Sequence, residues 1–148
     1  MAYFEDLSPV SSGGRVGPNV LNVGWLAKDM PVPTGATSEG FRAALKELCD
    51  NHVVWLTWGH HVCELCTEGQ RGEETGRSMG NGEIHVRDAA GTWFIAPRLI
   101  IHYVEEHNYL PPADFVNAVL NPSEVGDDNI RPGYAAGSTP EPAIPGLI

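Results

Sequence analysis

No two lysines or arginines stand together anywhere in this chain: nine basic residues are scattered among nineteen acidic ones. Phosphate recognition requires a basic stripe, so its absence argues against nucleic acid as a partner. The net charge of −10 suits a basic protein surface better. The deficit of positive charge is uneven, with residues 1–62 carrying −2, residues 63–121 carrying −5 and residues 122–148 carrying −3. No stretch approaches the roughly eighteen apolar residues that a membrane-spanning helix needs. The start, Met1-Ala2-Tyr3-Phe4-Glu5-Asp6-Leu7, has neither a basic n-region nor an apolar h-region, so no secretory signal is expected and the chain reads as cytoplasmic. There are only three cysteines, too few for a disulfide scaffold. In a reducing compartment a close cysteine pair is more often a metal or redox site. No Gly-x4-Gly-Lys phosphate loop occurs.

Seventeen glycines and twelve prolines in 148 residues indicate a chain rich in turns and loops. A domain of that kind, with a modest core, often needs a staple. Residues 1–36 read as an extended arm packing on the domain, since Ser11-Ser12-Gly13-Gly14 and Met30-Pro31-Val32-Pro33 both oppose helix. The first helix is expected over about residues 38–50. Thr37 or Ser38 can cap it, and Phe41, Ala44, Leu45 and Leu48 recur at helical spacing. Cys49, beside that stripe, is expected to be a buried thiol behaving as a small hydrophobe.

Val53-Val54-Trp55-Leu56-Thr57-Trp58 reads as a strand leading to a Cys-x2-Cys knuckle, and the Gly-rich residues 67–82 read as a loop. A hairpin follows: Glu83–Arg87 alternates in the period of two, Asp88-Ala89-Ala90-Gly91 turns, and Thr92–Ala96 returns. The alternation puts His85 on the hairpin's polar face. Pro97 suits the first turn of a helix over residues 98–106, which Asn108 can end in a left-handed conformation. Pro111-Pro112 opens a last short helix, 113–120, with Phe115, Val116 and Val119 inward. Residues 122–148 have no periodicity and read as an extended or disordered tail. Trp25, Trp55, Trp58 and Trp93 lie in or beside apolar segments and are expected in the core or around the knuckle. The domain proper is therefore 37–121.

The chemistry concentrates in Cys63, Cys66, His102 and His107. Zinc takes four tetrahedral ligands from cysteine thiolate and imidazole, and a structural site uses all four. Knuckle, hairpin, helix is the order of a treble-clef or finger-like fold, so the fold class is α+β: a small zinc-stabilised domain with an added N-terminal helix and extended arms. The His-x4-His spacing sets a condition. On a regular helix, positions five apart diverge by about 140°, so both imidazoles reach one ion only if the helix ends near His107. His60 or His61 could take the place of His107. A redox reading is disfavoured because Cys63-x-x-Cys66 follows a strand and precedes a Gly-rich loop, not a βαβ helix start.

Several ordered segments resemble those of a family of small uncharacterised bacterial proteins. They are Tyr3-Phe4-x-Asp6-Leu7-Ser8-Pro9, Leu21-Asn22-Val23-Gly24-Trp25-Leu26, Pro33-Thr34-Gly35, His61-x-Cys63-x-x-Cys66, Gly82-Glu83-Ile84, Ala96-Pro97 and His102-Tyr103-Val104-x-x-His107-x-Tyr109-x-Pro111-Pro112. The resemblance covers residues 3–120 and implies the fold unit and the cysteine and histidine positions, with no assigned activity.

Two function classes remain. One is a non-catalytic interaction module, stapled by zinc, whose acidic surface binds a protein or another copy. An immunity-like role or docking of the apolar end Ala143-Ile144-Pro145-Gly146-Leu147-Ile148 into an assembly would be versions of it. The other is a zinc hydrolase, with Cys63, Cys66 and His102 as ligands, an open position for water, and Glu64, His60 or His61 as base. Zinc deaminases use such a set, but their His-x-Glu and Pro-Cys-x-x-Cys pieces are not both present.

Overall fold

The computed structural model describes residues 3–12, 15–54, 61–66, 79–80 and 82–126. Within them the order is β1 (Pro9–Ser12), β2 (Arg15–Asn22), α1 (Glu39–Asn51), β3 (His61–Val62), β4 (Met79–Gly80), β5 (Glu83–Arg87), β6 (Trp93–Pro97), α2 (Ile100–His107), α3 (Ala113–Leu120) and β7 (Glu124–Val125). Five strands form one mixed sheet in the order β1-β2-β6-β5-β7, and β3 and β4 make a separate two-stranded ribbon. The chain is thus α+β.

Helix α1 starts where local chemistry dictates. The Ser38 hydroxyl accepts the Phe41 N–H at 3.1 Å, and Glu39 stands in the first turn, where negative charge favours the helix dipole. Phe41, Leu45, Leu48 and Cys49 then fall on one buried face. That face meets Phe115 and Val119 of α3 and the sheet residues Ile84, Val86 and Phe94. Phe115 packs edge-on against both Phe41 and Phe94, at ring separations of 6.4 and 6.0 Å.

Strand β6 is buried along its whole length because both faces of the sheet are covered. Phe94 and Ala96 point into the main core, whereas Trp93 and Ile95 join Val10, Val20 and Trp25 in a second cluster. The partners of Trp93 and Ile95 in that second cluster come from residues 10–25. The stretch expected as an arm supplies the β1–β2 hairpin, and β2 runs parallel to β6 with Val20 opposite Trp93 and Asn22 opposite Ile95. Trp25 donates its indole N–H to the Ile95 carbonyl at 3.0 Å. Trp55 and Trp58 lie outside the described residues.

The β5–β6 hairpin forms as expected, with Glu83 opposite Pro97 and Arg87 opposite Trp93. Gly91 supplies the positive φ of its turn (φ 95°). Three expectations need correction. His85 shares the face of Glu83 and Arg87 as expected but is not exposed there: it is fully buried, because Gly126, just past β7, closes over it. Its Nε2 lies 2.9 Å from Glu83 Oε1. Pro97 is the last residue of β6 and not the first turn of a helix; the chain turns through Arg98 and Leu99 before α2 begins at Ile100. Within the stretch expected as tail, Glu124 and Val125 pair with Arg87 and Val86 as β7. Of the strand expected over 53–58, Val54 bridges Glu83 and residues 55–58 lie outside the described residues. The same holds for 67–78 of the expected loop and for 127–148.

Gly126 closes over His85: a Cβ there would sit 2.6 Å from His85 Cβ. Gly126→Ala should therefore destabilise the fold by about 1–3 kcal/mol through overpacking. Gly40 has open space around the same position. Gly40→Ala should stabilise by about 0.4–1 kcal/mol through the loss of unfolded-state freedom. Urea denaturation of the two variants should give shifts of opposite sign.

Candidate metal centre

The Cys63–Cys66 turn leaves the end of β3, which is held to β4 by His61 opposite Gly80 and Val62 opposite Met79. Cys63 is fully buried and Cys66 nearly so. Facing them is α2, which carries a buried His102 and a half-buried His107. His102 Nε2 lies 3.1 Å from Cys66 Sγ, and His107 Nε2 lies 3.5 Å from both Cys63 Sγ and Cys66 Sγ. One ligand atom from each of the four residues falls within 4.8 Å of all the others. Zn–S bonds of about 2.3 Å and Zn–N bonds of about 2.0 Å at tetrahedral angles place sulfur and nitrogen about 3.5 Å apart. The donors Cys63, Cys66, His102 and His107 could hold a metal ion together.

The condition set by the five-residue spacing is met in the backbone. Helix α2 stops at His107, and Asn108 takes the left-handed conformation (φ 53°, ψ 30°). The N–H groups of Asn108 and Tyr109 both turn back onto the Tyr103 carbonyl, the latter at 3.1 Å. The two imidazoles consequently meet edge to face, with ring centroids 5.1 Å apart.

Beyond the turn, Tyr109 is fully buried, and its hydroxyl donates to Asp6 Oδ2 at 2.7 Å. Asp6 Oδ1 accepts the Gly24 N–H at 2.9 Å. One carboxylate thus ties the N-terminal segment to the residue two past His107. Reading the residue types alone did not single out Asp6, Tyr103 or Tyr109. All three lie inside the patterned segments Tyr3-Phe4-x-Asp6 and His102-Tyr103 to Tyr109, which was the available signal.

Electrostatics around the site follow burial. The Cys63 thiol is pushed up to about 12, first by burial and then opposed by the Leu65 backbone N–H. Burial moves His107 the other way, below the ordinary histidine value, which favours the neutral, ligating imidazole. Cys49 is a buried thiol apart from the cluster, raised to about 12 by desolvation, and is unreactive for that reason. His60 lies outside the described residues, and of His61 only the backbone in β3 is described. Glu64 accepts the Lys28 N–H at 3.3 Å.

Gly76-Arg77-Ser78-Met79-Gly80 has the Gly-x-Ser-x-Gly spacing of a nucleophile elbow. Such a serine sits between a strand and a helix. Gly76, Arg77 and Ser78 lie outside the described residues, and Met79–Gly80, which follows, is the strand β4 and not a helix start.

Asn108→Ala should cost about 1 kcal/mol, because alanine pays for the left-handed backbone, while Asn108→Gly should keep full stability. Chemical denaturation of both variants checks this.

No curated protein and no solved structure matches the chain. Residues 2–120 match the family described as "Domain of unknown function (DUF7919)". The match spans well over half of the chain, and the protein belongs to that family.

Proposed function

We propose that Cys63, Cys66, His102 and His107 form a structural zinc site, and that the domain is a non-catalytic protein-interaction module stapled by it. The observation that carries this reading is the closed donor set: two sulfurs and two imidazole nitrogens within 4.8 Å of one another. Two soft thiolates with two imidazoles suit zinc, and four protein ligands leave no position for a reacting water. The order knuckle, β5–β6 hairpin and α2 supports a treble-clef-like arrangement grafted onto the larger sheet. The absence of a disulfide among Cys49, Cys63 and Cys66 fits a reducing compartment such as the cytoplasm. The net charge of −10 gives the module an acidic field that a basic protein surface would complement.

The hydrolase reading would need His107 to leave the set so that water could enter. Glu64, the nearest candidate base in sequence, is engaged with the Lys28 backbone. Coordination measured by X-ray absorption separates the two: two sulfurs and two nitrogens support a closed site, and an oxygen ligand would overturn it.

Protein purified without chelator should contain one zinc per chain by elemental analysis, and Cys63→Ala or His102→Ala should remove it. Metal removal should lower stability by about 4 kcal/mol at a free ion concentration a thousand times the Kd. Affinity should also depend on pH with a definite sign. Burial pushes the Cys63 thiol up, so in the metal-free protein it carries its proton at neutral pH. Binding must expel that proton, so affinity should rise at least about tenfold per pH unit through neutrality. His107, already neutral there, should add to the slope only at pH values below its lowered range. Titration calorimetry at several pH values checks the slope. For the interaction role, native co-purification should recover a basic partner that salt releases; recovery of the protein alone at low salt would count against it.

A further inference from the structure

We infer that Asp6 is a positioning residue of the metal centre: acting through Tyr109, it fixes the stop of α2 that aims His107 at the knuckle. The inference rests on the metal reading above and deepens it. Asp6 lies 103 positions before Tyr109 and outside every element that carries a donor. Its carboxylate accepts the Tyr109 hydroxyl at 2.7 Å with Oδ2 and the Gly24 N–H at 2.9 Å with Oδ1. Tyr109 is fully buried, and a hydroxyl bonded to a carboxylate is held more firmly than one bonded to a neutral acceptor.

The stop itself is made at Tyr109. Its N–H closes on the Tyr103 carbonyl at 3.1 Å and, with the N–H of Asn108, turns the chain out of α2 directly after His107. The Asn108 carbonyl accepts the Gly35 N–H, and the Leu110 N–H donates to the Pro33 carbonyl, each at 3.0 Å. Those bonds hold the backbone on either side of residue 109, and the Asp6 bond holds the side chain between them. If residue 109 slipped, the helix could continue past His107, and the imidazole would turn towards the divergent direction of a five-residue spacing.

Backbone strain beside Asp6 is a second, independent sign. Leu7 has a φ of 68°, in the left-handed region that a leucine side chain opposes. That side chain is 39% exposed, so its own burial does not account for the conformation. The Leu7 N–H donates to the Asn22 carbonyl at 2.7 Å and the Ser8 N–H to the Glu5 carbonyl at 3.0 Å, a tight turn around Asp6. Strain persists where the surroundings over-determine it, and it gathers at ligand clamps. Here the strained turn presents Asp6 to Gly24 and Tyr109. Coupling between sites is reciprocal, so an ion on His107 also seats Asp6 more firmly.

The test compares metal binding by wild type, Tyr109→Phe, Asp6→Ala and Gly126→Ala, the last a control whose overpacking falls on His85, which is not a donor. Tyr109→Phe removes one oxygen and keeps the ring; Asp6 is half-buried, so water can bond the freed Oδ2. Tyr109→Phe and Asp6→Ala should each bind zinc about 2- to 30-fold more weakly than wild type. Combining the two should weaken binding no further than the weaker of them, because both remove the same contact. With cobalt in place of zinc, the visible bands of tetrahedral coordination should lose intensity in both variants as water replaces His107 in part of the molecules. Gly126→Ala should bind as wild type does, although it is the less stable protein. Wild-type affinity and an unchanged cobalt spectrum in Tyr109→Phe and Asp6→Ala would overturn the inference. An equal loss of affinity in Gly126→Ala would overturn it too, since affinity would then merely follow stability. If wild type binds neither zinc nor cobalt, the metal reading fails and this inference with it. Should neither Asp6→Ala nor Tyr109→Phe fold, hydrogen exchange at the Gly24 N–H of wild type decides: zinc should slow it, and an unchanged rate would overturn the inference.

Discussion

The geometry of the cysteine and histidine cluster depends on one backbone event, the termination of α2 at His107. On a regular helix positions five apart point about 140° away from each other. The left-handed Asn108 stops the helix there, and two N–H groups fold back onto the Tyr103 carbonyl to hold the stop in place. Asparagine adopts that conformation more cheaply than other residues with a side chain, which explains how a non-glycine residue serves.

Two kinds of support surround that turn. On one side the knuckle is offered by the short ribbon β3–β4, a pair too small to be stable alone. On the other, Tyr109 is locked by Asp6, and Asp6 is locked by the Gly24 backbone. The N-terminal segment therefore contributes to the site without supplying a ligand. The sheet and the helices build one apolar core, centred on Phe41, Phe94 and Phe115, and Cys63 and Cys66 belong to its edge of buried residues. A metal at the cluster would pin the knuckle to a scaffold that is already packed, unlike a minimal finger whose fold depends wholly on its ion.

Much of this was readable residue by residue. The Ser38 cap, the apolar stripe of α1, the Asp88–Gly91 turn and the left-handed Asn108 all follow from interactions within a few positions, and each formed where its chemistry pointed. His85 shows where such reading stops. Its alternation with Ile84 and Val86 correctly assigns it to the opposite face of β5, but whether that face is wet depends on β7 and Gly126, forty residues later in the chain. Pro97 shows the same limit, since its fixed φ suits both a strand end and a helix start, and the register against Glu83 chose the former.

By itself the amino-acid order determined the elements and the donor types. Periodicity, caps and turns are local properties, and two cysteines three positions apart converge through one tight turn. Only the tertiary structure decided which elements share the sheet, that residues 9–22 are part of it, and that β6 is buried on both faces. It also decided that His102 and His107 face the knuckle from across a long sequence gap, at 3.1–3.5 Å from the sulfurs. That outcome depends on the relative placement of α2 and the β3–β4 ribbon, which is set by packing between distant segments and leaves no local signature in the chain.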